Sequence, residues 1–214
     1  MRRRALNLRW LMPIALLAGI SAAAAQSTAP SGAGKTETAI FAAGCFWCVE
    51  EAYEKVPGVV SAVSGYTGGK LANPTYEQVT TGRTGHYEAV QIIYEPAKVS
   101  YQQLVDWFWR NVDPHDADGQ FCDKGPHYRG AIFYQGDAQK SVAEDSKKAL
   151  AASGQIKQPI VTEILPAVPF YAAEDYHQDY YKKNSNRYQF YKHGCRRVQR
   201  LEQVWGKASP PPNT

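Results

Sequence analysis

Apolar positions along this chain recur with two periods. Thr38-Ala39-Ile40-Phe41-Ala42-Ala43 is a short apolar run that predicts a strand over 37–43. After it, Val49, Ala52, Tyr53 and Val56 stand at helical spacing and predict a helix over 45–55. Strands at 59–66 and 87–94 follow, then a helix over 101–112 with the apolar face Leu104, Val105, Phe108, Trp109 and Val112. Ser100, with Gln103 three residues on, forms a capping box at its start. A strand at 129–135 leads to a helix from near Asp137 to Gly154, a natural residue for a helix end, and then to a strand at 159–165. Two further stretches read as helical, 172–183, rich in Tyr and acids, and 197–205.

The order β-α-β-β-α-β is the split βαβ arrangement. Helices on one face of a mainly antiparallel or mixed sheet give an α+β sandwich of two layers, with extra C-terminal helices. Two long polar loops, 67–86 and 113–128, interrupt the pattern. Loops of that length in a compact domain usually carry function.

The ends have a different character. Arg2, Arg3, Arg4 and Arg9 precede the apolar stretch Leu11 to Ile20 and the small residues Ala23-Ala24-Ala25. This predicts a secretory signal over 1–25, too short to span a bilayer comfortably, and hence a periplasmic or secreted protein. Residues 26–35 read as a flexible linker, 36–206 as one domain, and 207–214 as a disordered tail. A monomer is expected, with no stable membrane span once the signal is cut. The net charge of +4 comes from 24 basic and 20 acidic residues. Four of the arginines lie in the signal, so the remainder is 20 against 20, and nothing indicates a nucleic-acid surface.

Four cysteines in an exported chain normally predict two structural disulfides. Here Cys45 and Cys48 stand three positions apart, too close for a bridge to stabilise much, and a domain of this size needs no staples. Redox-active cysteines fit better. The run Gly44-Cys45-Phe46-Trp47-Cys48 places Cys45 at a helix N-terminus, where free N–H groups and the dipole stabilise a thiolate.

The two loops supply polar groups: Gly65-Tyr66-Thr67-Gly68-Gly69, Asn73-Pro74-Thr75-Tyr76, Thr84-Gly85-His86-Tyr87-Glu88 and Asp123 to Tyr128-Arg129. In this order, with Gly-Cys-Phe-Trp, they resemble the A-type peptide methionine sulfoxide reductases over residues 37–190. The resemblance implies a ferredoxin-like sandwich whose reactive cysteine opens the first helix. It implies reduction of the S epimer of methionine sulfoxide, free or in oxidised proteins, with no bound cofactor or metal and a thioredoxin-type dithiol as external reductant. Cys45 matches the nucleophile and Glu88 the acid that donates to the sulfoxide oxygen. Tyr76 and Tyr128 match phenols that hydrogen-bond that oxygen, and Asp123 a carboxylate of the same pocket. Phe46 and Trp47 match the wall that holds the substrate's S-methyl group.

Attack leaves Cys45 as a sulfenic acid, which a second thiol must resolve. Cys48 is one helical turn away and is preferred; Cys195, in a C-terminal stretch where relatives keep resolving cysteines, is the alternative, first or as a second relay. Cys122 reads as a buried bystander. Glu88 has a bland rival as a solvated edge charge, and each tyrosine as a half-buried core residue. His86 and His127 read as local hydrogen-bonding residues, and Asp113-Pro114-His115 as a turn. Two other functions remain open. A thioredoxin-like thiol-disulfide oxidoreductase shares the Cys-x-x-Cys helix start but needs a cis-proline loop, and none is evident. A metal-binding module would use Cys45, Cys48, Cys195 and His193.

Overall fold

The computed structural model describes residues 34–207 and 210–214. The signal segment and almost all of the linker lie outside the described residues. The elements run β1 (Glu37–Ala43), α1 (Phe46–Glu54), β2 (Val59–Thr67), α2 (Tyr76–Thr80), β3 (Tyr87–Tyr94), α3 (Tyr101–Arg110), β4 (Gly119–Gln120) and β5 (Asp123–Lys124). After a 3₁₀ turn at Pro126–Tyr128 come β6 (Gly130–Tyr134), α4 (Gly136–Ala152), β7 (Glu163–Pro166), β8 (Tyr171–Ala172), α5 (Tyr180–Lys183), α6 (Ser185–Gly194) and α7 (Arg197–Trp205).

A six-stranded sheet has the order β7-β6-β1-β3-β2-β8, antiparallel throughout except for β6 with β7. β4 and β5 form a separate hairpin. The fold is therefore mixed α+β with a mostly antiparallel sheet, as the element order implied. β1 has a paired strand on each side, and side chains packed on both faces of the sheet bury its apolar run. Ala39, Phe41 and Ala43 face the helices, and Phe41 lies 5.2 Å from the Tyr53 ring of α1 and 5.4 Å from Phe108 of α3. Ile40 and Ala42 face the other side with Ala89, Ala131 and Phe133. The core is thus one sheet covered mainly on one face.

Both predicted stops and starts of helices have their physical cause. Ser100 and Gln103 close the capping box at α3, and Gly154 adopts φ +73 just past α4. Three readings need correction. The strand placed at 159–165 begins only at Glu163, because Val161 donates instead to Pro114 O at 2.8 Å. The stretch 172–183 is mostly turns, with a two-residue edge strand before it and a helix only at 180–183. The polar loops are not featureless: they contain α2, the β4–β5 hairpin and the 3₁₀ turn.

Toward the C-terminus, α7 is anchored by buried Arg197, which donates to Ala43 O and Asn111 O, and by Trp205, which donates to Val112 O. Asn213 hydrogen-bonds the Lys98 carbonyl and Gln103 at the start of α3. Among the described residues no helix is long and apolar enough to cross a membrane.

Candidate active site

The site forms where β1 turns into α1. Gly44 makes that turn at φ +81, and a Cβ there would lie 2.6 Å from Cβ of Gln120. Gln120 is buried and its amide binds both N–H and C=O of Asp113, fixing the 113–120 loop against the turn. Asp113 also accepts from His115 N, the expected turn, and from Arg200. Cys45 then caps α1, and Cys48 lies one turn in. Both are free thiols and both are buried.

The helix start does not activate Cys45 as the sequence implied. Its first free N–H, on Phe46, donates to Glu88 Oε2 at 3.1 Å. Burial raises the Cys45 thiol well above its usual range, and Cys48 and Glu88 raise it further; the Tyr191 hydroxyl acts the other way. Cys48 is instead lowered to about 7, chiefly because the Cys45 thiol donates to it, with help from Arg197, Tyr188 and Lys192. The resting pair thus holds its charge on Cys48.

Glu88 is 1 % exposed on the central strand β3, which removes the edge-charge reading. Phe41 pairs with Val90, so two positions along both strands Ala43 and Glu88 meet beside the turn to Cys45. Burial raises the carboxyl to about 8, and the Asp123 and Cys48 charges add to the rise, against the Phe46 and Tyr128 hydrogen bonds. The Phe46 bond occupies one oxygen and leaves the other to carry a proton. Tyr76 opens α2, where Thr75 makes a capping box and Glu174 accepts from the Tyr76 N–H at 2.8 Å. Tyr128 ends the 3₁₀ turn. Glu88 and Cys45 raise both phenols on top of burial, which places all four groups around one point. Both phenols are therefore neutral donors at physiological pH.

Phe46 and Trp47 form an aromatic wall together with residues the sequence reading did not name. Trp47 Nε1 donates to His177 Nδ1 at 3.1 Å, and its ring stacks on Tyr180 at 3.7 Å. His177 also lies 4.9 Å from the Phe46 ring and 4.5 Å from Tyr76. It is 2 % exposed, and its Nε2 has no partner. His177 and Glu174 fall in the Tyr- and acid-rich stretch read as a helix; a lone His among aromatics was the only available signal. By contrast His86 is local, as expected: its ring accepts from Gly69 N and bonds Leu71 O. The His127 ring lies tilted against Tyr128, 4.1 Å between centroids.

Asp123, on β5, accepts from the Tyr191 hydroxyl of α6. Beside it the structure overturns the reading of Cys122 as a buried bystander. Cys122 is exposed and bonded to Cys195, with 4.9 Å between their Cα atoms across 73 positions. The expectation that the cysteines form no stapling disulfide fails for the same reason. Cys195 is thus paired away from Cys45, and the free pair is Cys45 with Cys48. The proposed metal set also separates: among the described residues, the acidic and thiol clusters are Cys122, Asp123 and Cys195, whose sulfurs are joined, and Glu50, Glu54 and Asp179.

A thiol pair, a protonated carboxyl, two neutral phenols and an apolar wall can together hold and reduce an oxygenated methyl sulfide. The comparisons agree with that chemistry. The family model for peptide methionine sulfoxide reductase matches residues 37–209. Peptide methionine sulfoxide reductase MsrA of Bacillus subtilis is 53 % identical over 80 % of this chain and 97 % of its own length. MsrA 2 of Caulobacter vibrioides is 53 % identical over 84 % of this chain and 91 % of its own. Among solved structures, methionine sulfoxide reductase A of Corynebacterium diphtheriae matches with a TM-score of 0.64 at 37 % identity, covering 72 % of this chain and 77 % of that one. Mxr1 of Saccharomyces cerevisiae in reduced form matches with 0.65 at 32 %, covering 71 % and 87 %. This chain belongs to the peptide methionine sulfoxide reductase family, an oxidoreductase that returns methionine sulfoxide to methionine.

Proposed function

We propose that the chain reduces the S epimer of methionine sulfoxide, in oxidised proteins and free, with Cys45 as nucleophile and Glu88 as acid. The burial of Glu88 beside Cys45, with one oxygen held by Phe46 N–H, carries this reading. Cys45 sulfur attacks the sulfoxide sulfur while Glu88 protonates the oxygen, which Tyr76 and Tyr128 hold by hydrogen bonds. Phe46 and Trp47 pack against the S-methyl group. The substrate sulfur gains two electrons and leaves as methionine; Cys45 keeps the oxygen as a sulfenic acid. Cys48, one turn away and lowered toward its thiolate, then attacks the Cys45 sulfur; the Cys45 S–O bond breaks, its oxygen takes a proton from solvent and leaves as water, and the Cys45–Cys48 disulfide forms. Cys195 is the second choice as resolver, since Cys122 holds it.

The spent disulfide needs two electrons from outside, and a thioredoxin-type dithiol fits that demand without a bound cofactor. The signal-like segment 1–25 supports export to the periplasm or beyond, with 36–206 as the working domain and a monomeric protein. The order β6-β1-β3-β2, with α1 and α3 as crossovers, supports a ferredoxin-like core.

The test is single-turnover methionine formation from the S epimer by Glu88→Gln. A fall of about 100-fold is expected, with Cys45 still present and alkylatable. An unchanged rate removes Glu88 as the acid.

A further inference from the structure

Tyr191 has no part in the steps above, yet it lies at their centre. Its hydroxyl donates to Asp123, its ring meets Trp47 edge-on at 5.9 Å, and it faces Cys45. Cys45 must lose its thiol proton as it attacks. The groups that face it are Cys48 from α1, Glu88 from β3, Tyr76 from α2, Tyr128 from the 3₁₀ turn and Tyr191 from α6. Glu88 gives a proton in the same step and cannot also take one.

We propose that Tyr191 carries the proton of Cys45 to Asp123 as the sulfur attacks, so that Asp123 is the base of the site and Glu88 its acid. The inference rests on Cys45 being the nucleophile. A phenol has one proton and two lone pairs, so once the Cys45 S–H turns from Cys48 it can accept from that S–H while donating to a carboxylate. The two carboxyls have opposite neighbours. Asp123 is raised by burial, but Tyr191, Arg197 and Lys124 steady its charged form. Glu88 is buried and has the charges of Asp123 and Cys48 against it. Environments that push two carboxyls apart in this way assign one as acid and the other as base.

The chain also fixes this contact covalently. Cys122 immediately precedes Asp123, and Cys195 N donates to Tyr191 O one helical turn on, so the disulfide brackets the Tyr191–Asp123 hydrogen bond. Neither element holds the pair alone. The hairpin has two residues per strand, and α6 presents Phe190 to solvent at 84 % exposure. In the step, the Cys45 S–H bond breaks and its proton joins the Tyr191 oxygen, while the Tyr191 proton moves to Asp123. The Cys45–substrate sulfur bond forms, and the Glu88 proton joins the sulfoxide oxygen. Glu88 and Asp123 then exchange one proton through solvent.

The experiment is single-turnover methionine formation against pH for Tyr191→Phe, Asp123→Asn and their double variant, with thermal melts to show that each folds. Each single variant is expected to lose about 100-fold at pH 7, with the ratio to wild type closing as pH rises into the range where Cys45 ionises unaided. The double variant is expected to be no slower than either, because the two act as one unit. Peptide mapping after iodoacetamide should show Cys45 alkylation in Tyr191→Phe displaced to higher pH. Equal loss at every pH, additive losses or no loss overturns the relay. If Cys48→Ser loses its single-turnover rate at pH 7 while Tyr191→Phe does not, Cys48 is the base instead. Cys45→Ser, run alongside, separates the failures. If it still forms methionine, the nucleophile assignment falls; if it is dead while Tyr191→Phe behaves as wild type, only the relay falls.

Discussion

The backbone N–H of Phe46 donates to Glu88 Oε2 at 3.1 Å, so the first free donor of the helix that Cys45 caps serves the Glu88 carboxyl and not the Cys45 sulfur. The dipole end of α1 is thereby used to orient a carboxyl that burial keeps protonated.

One consequence is a pH limb. Glu88 ionises at about 8 in the folded chain, above the ordinary carboxylate range. The single-turnover rate should therefore hold below about pH 8 and fall as pH rises past it, and Glu88→Gln should lack that fall. Linkage gives a second readout with the same sign. A raised carboxyl binds a proton in the fold that the unfolded chain releases, so stability is lost as pH rises between the two values. Glu88→Gln should resist urea better than wild type at pH 8, with no difference near pH 4.

A second prediction concerns the thiol pair. Cys48 raises Cys45 both by accepting its hydrogen bond and by its charge. Cys48→Ser removes both, so Cys45 should react with iodoacetamide at lower pH than in wild type. The same variant should form one equivalent of methionine and then stall with a sulfenic acid on Cys45, detectable by a dimedone adduct in the mass spectrum. A full second turnover with a dithiol that cannot reach sulfenic acids would contradict the local resolver.

The aromatic wall gives a third. His177 accepts the Trp47 indole N–H and lies against Phe46 and Tyr76. His177→Ala leaves that N–H without a partner and opens the wall. A loss of about tenfold in kcat/KM is expected, carried mainly by KM because the group binds the methyl end rather than the reacting oxygen. A loss confined to kcat would place His177 in the chemistry.

The fourth concerns the Cys122–Cys195 bond. It closes a loop of 73 positions. Replacing both cysteines by alanine should lower the unfolding free energy by about 4 kcal/mol, read from urea denaturation. A change below about 1 kcal/mol would mean that the unfolded chain is not restrained by the bond.

Much of this was legible in sequence because local rules and the fold agree. β1 and β3 have the expected bounds, α1 is one residue shorter at each end, and α3 starts where the Ser100 capping box places it but stops at Arg110, two residues early. The reading broke down where local composition is silent. The stretch around His177 has Tyr and acids enough for a helix, but its backbone follows the pocket through turns and an edge pairing with β2. α6 has no clean apolar stripe, since Tyr188 is buried and Phe190 exposed, so its helix rests on tertiary contacts such as Tyr188 to Glu51. The pairing of Cys122 with Cys195 depends on chain closure, which spacing cannot give. The helix-start rule for Cys45 leaves out burial, which raises the thiol, and the Phe46 N–H that is directed to Glu88 instead.

The two pairs of sulfurs also differ in what they do to the chain as an object. The Cys122–Cys195 bond encloses every element from β5 to α6 in one large covalent ring, and the Cys45–Cys48 segment lies outside it. Closing the catalytic bond adds only a tiny ring of neighbouring residues. With Cys48 as the resolver proposed above, each cycle makes and breaks a bond without altering how the polypeptide is threaded, and the 122–195 ring stays shut throughout.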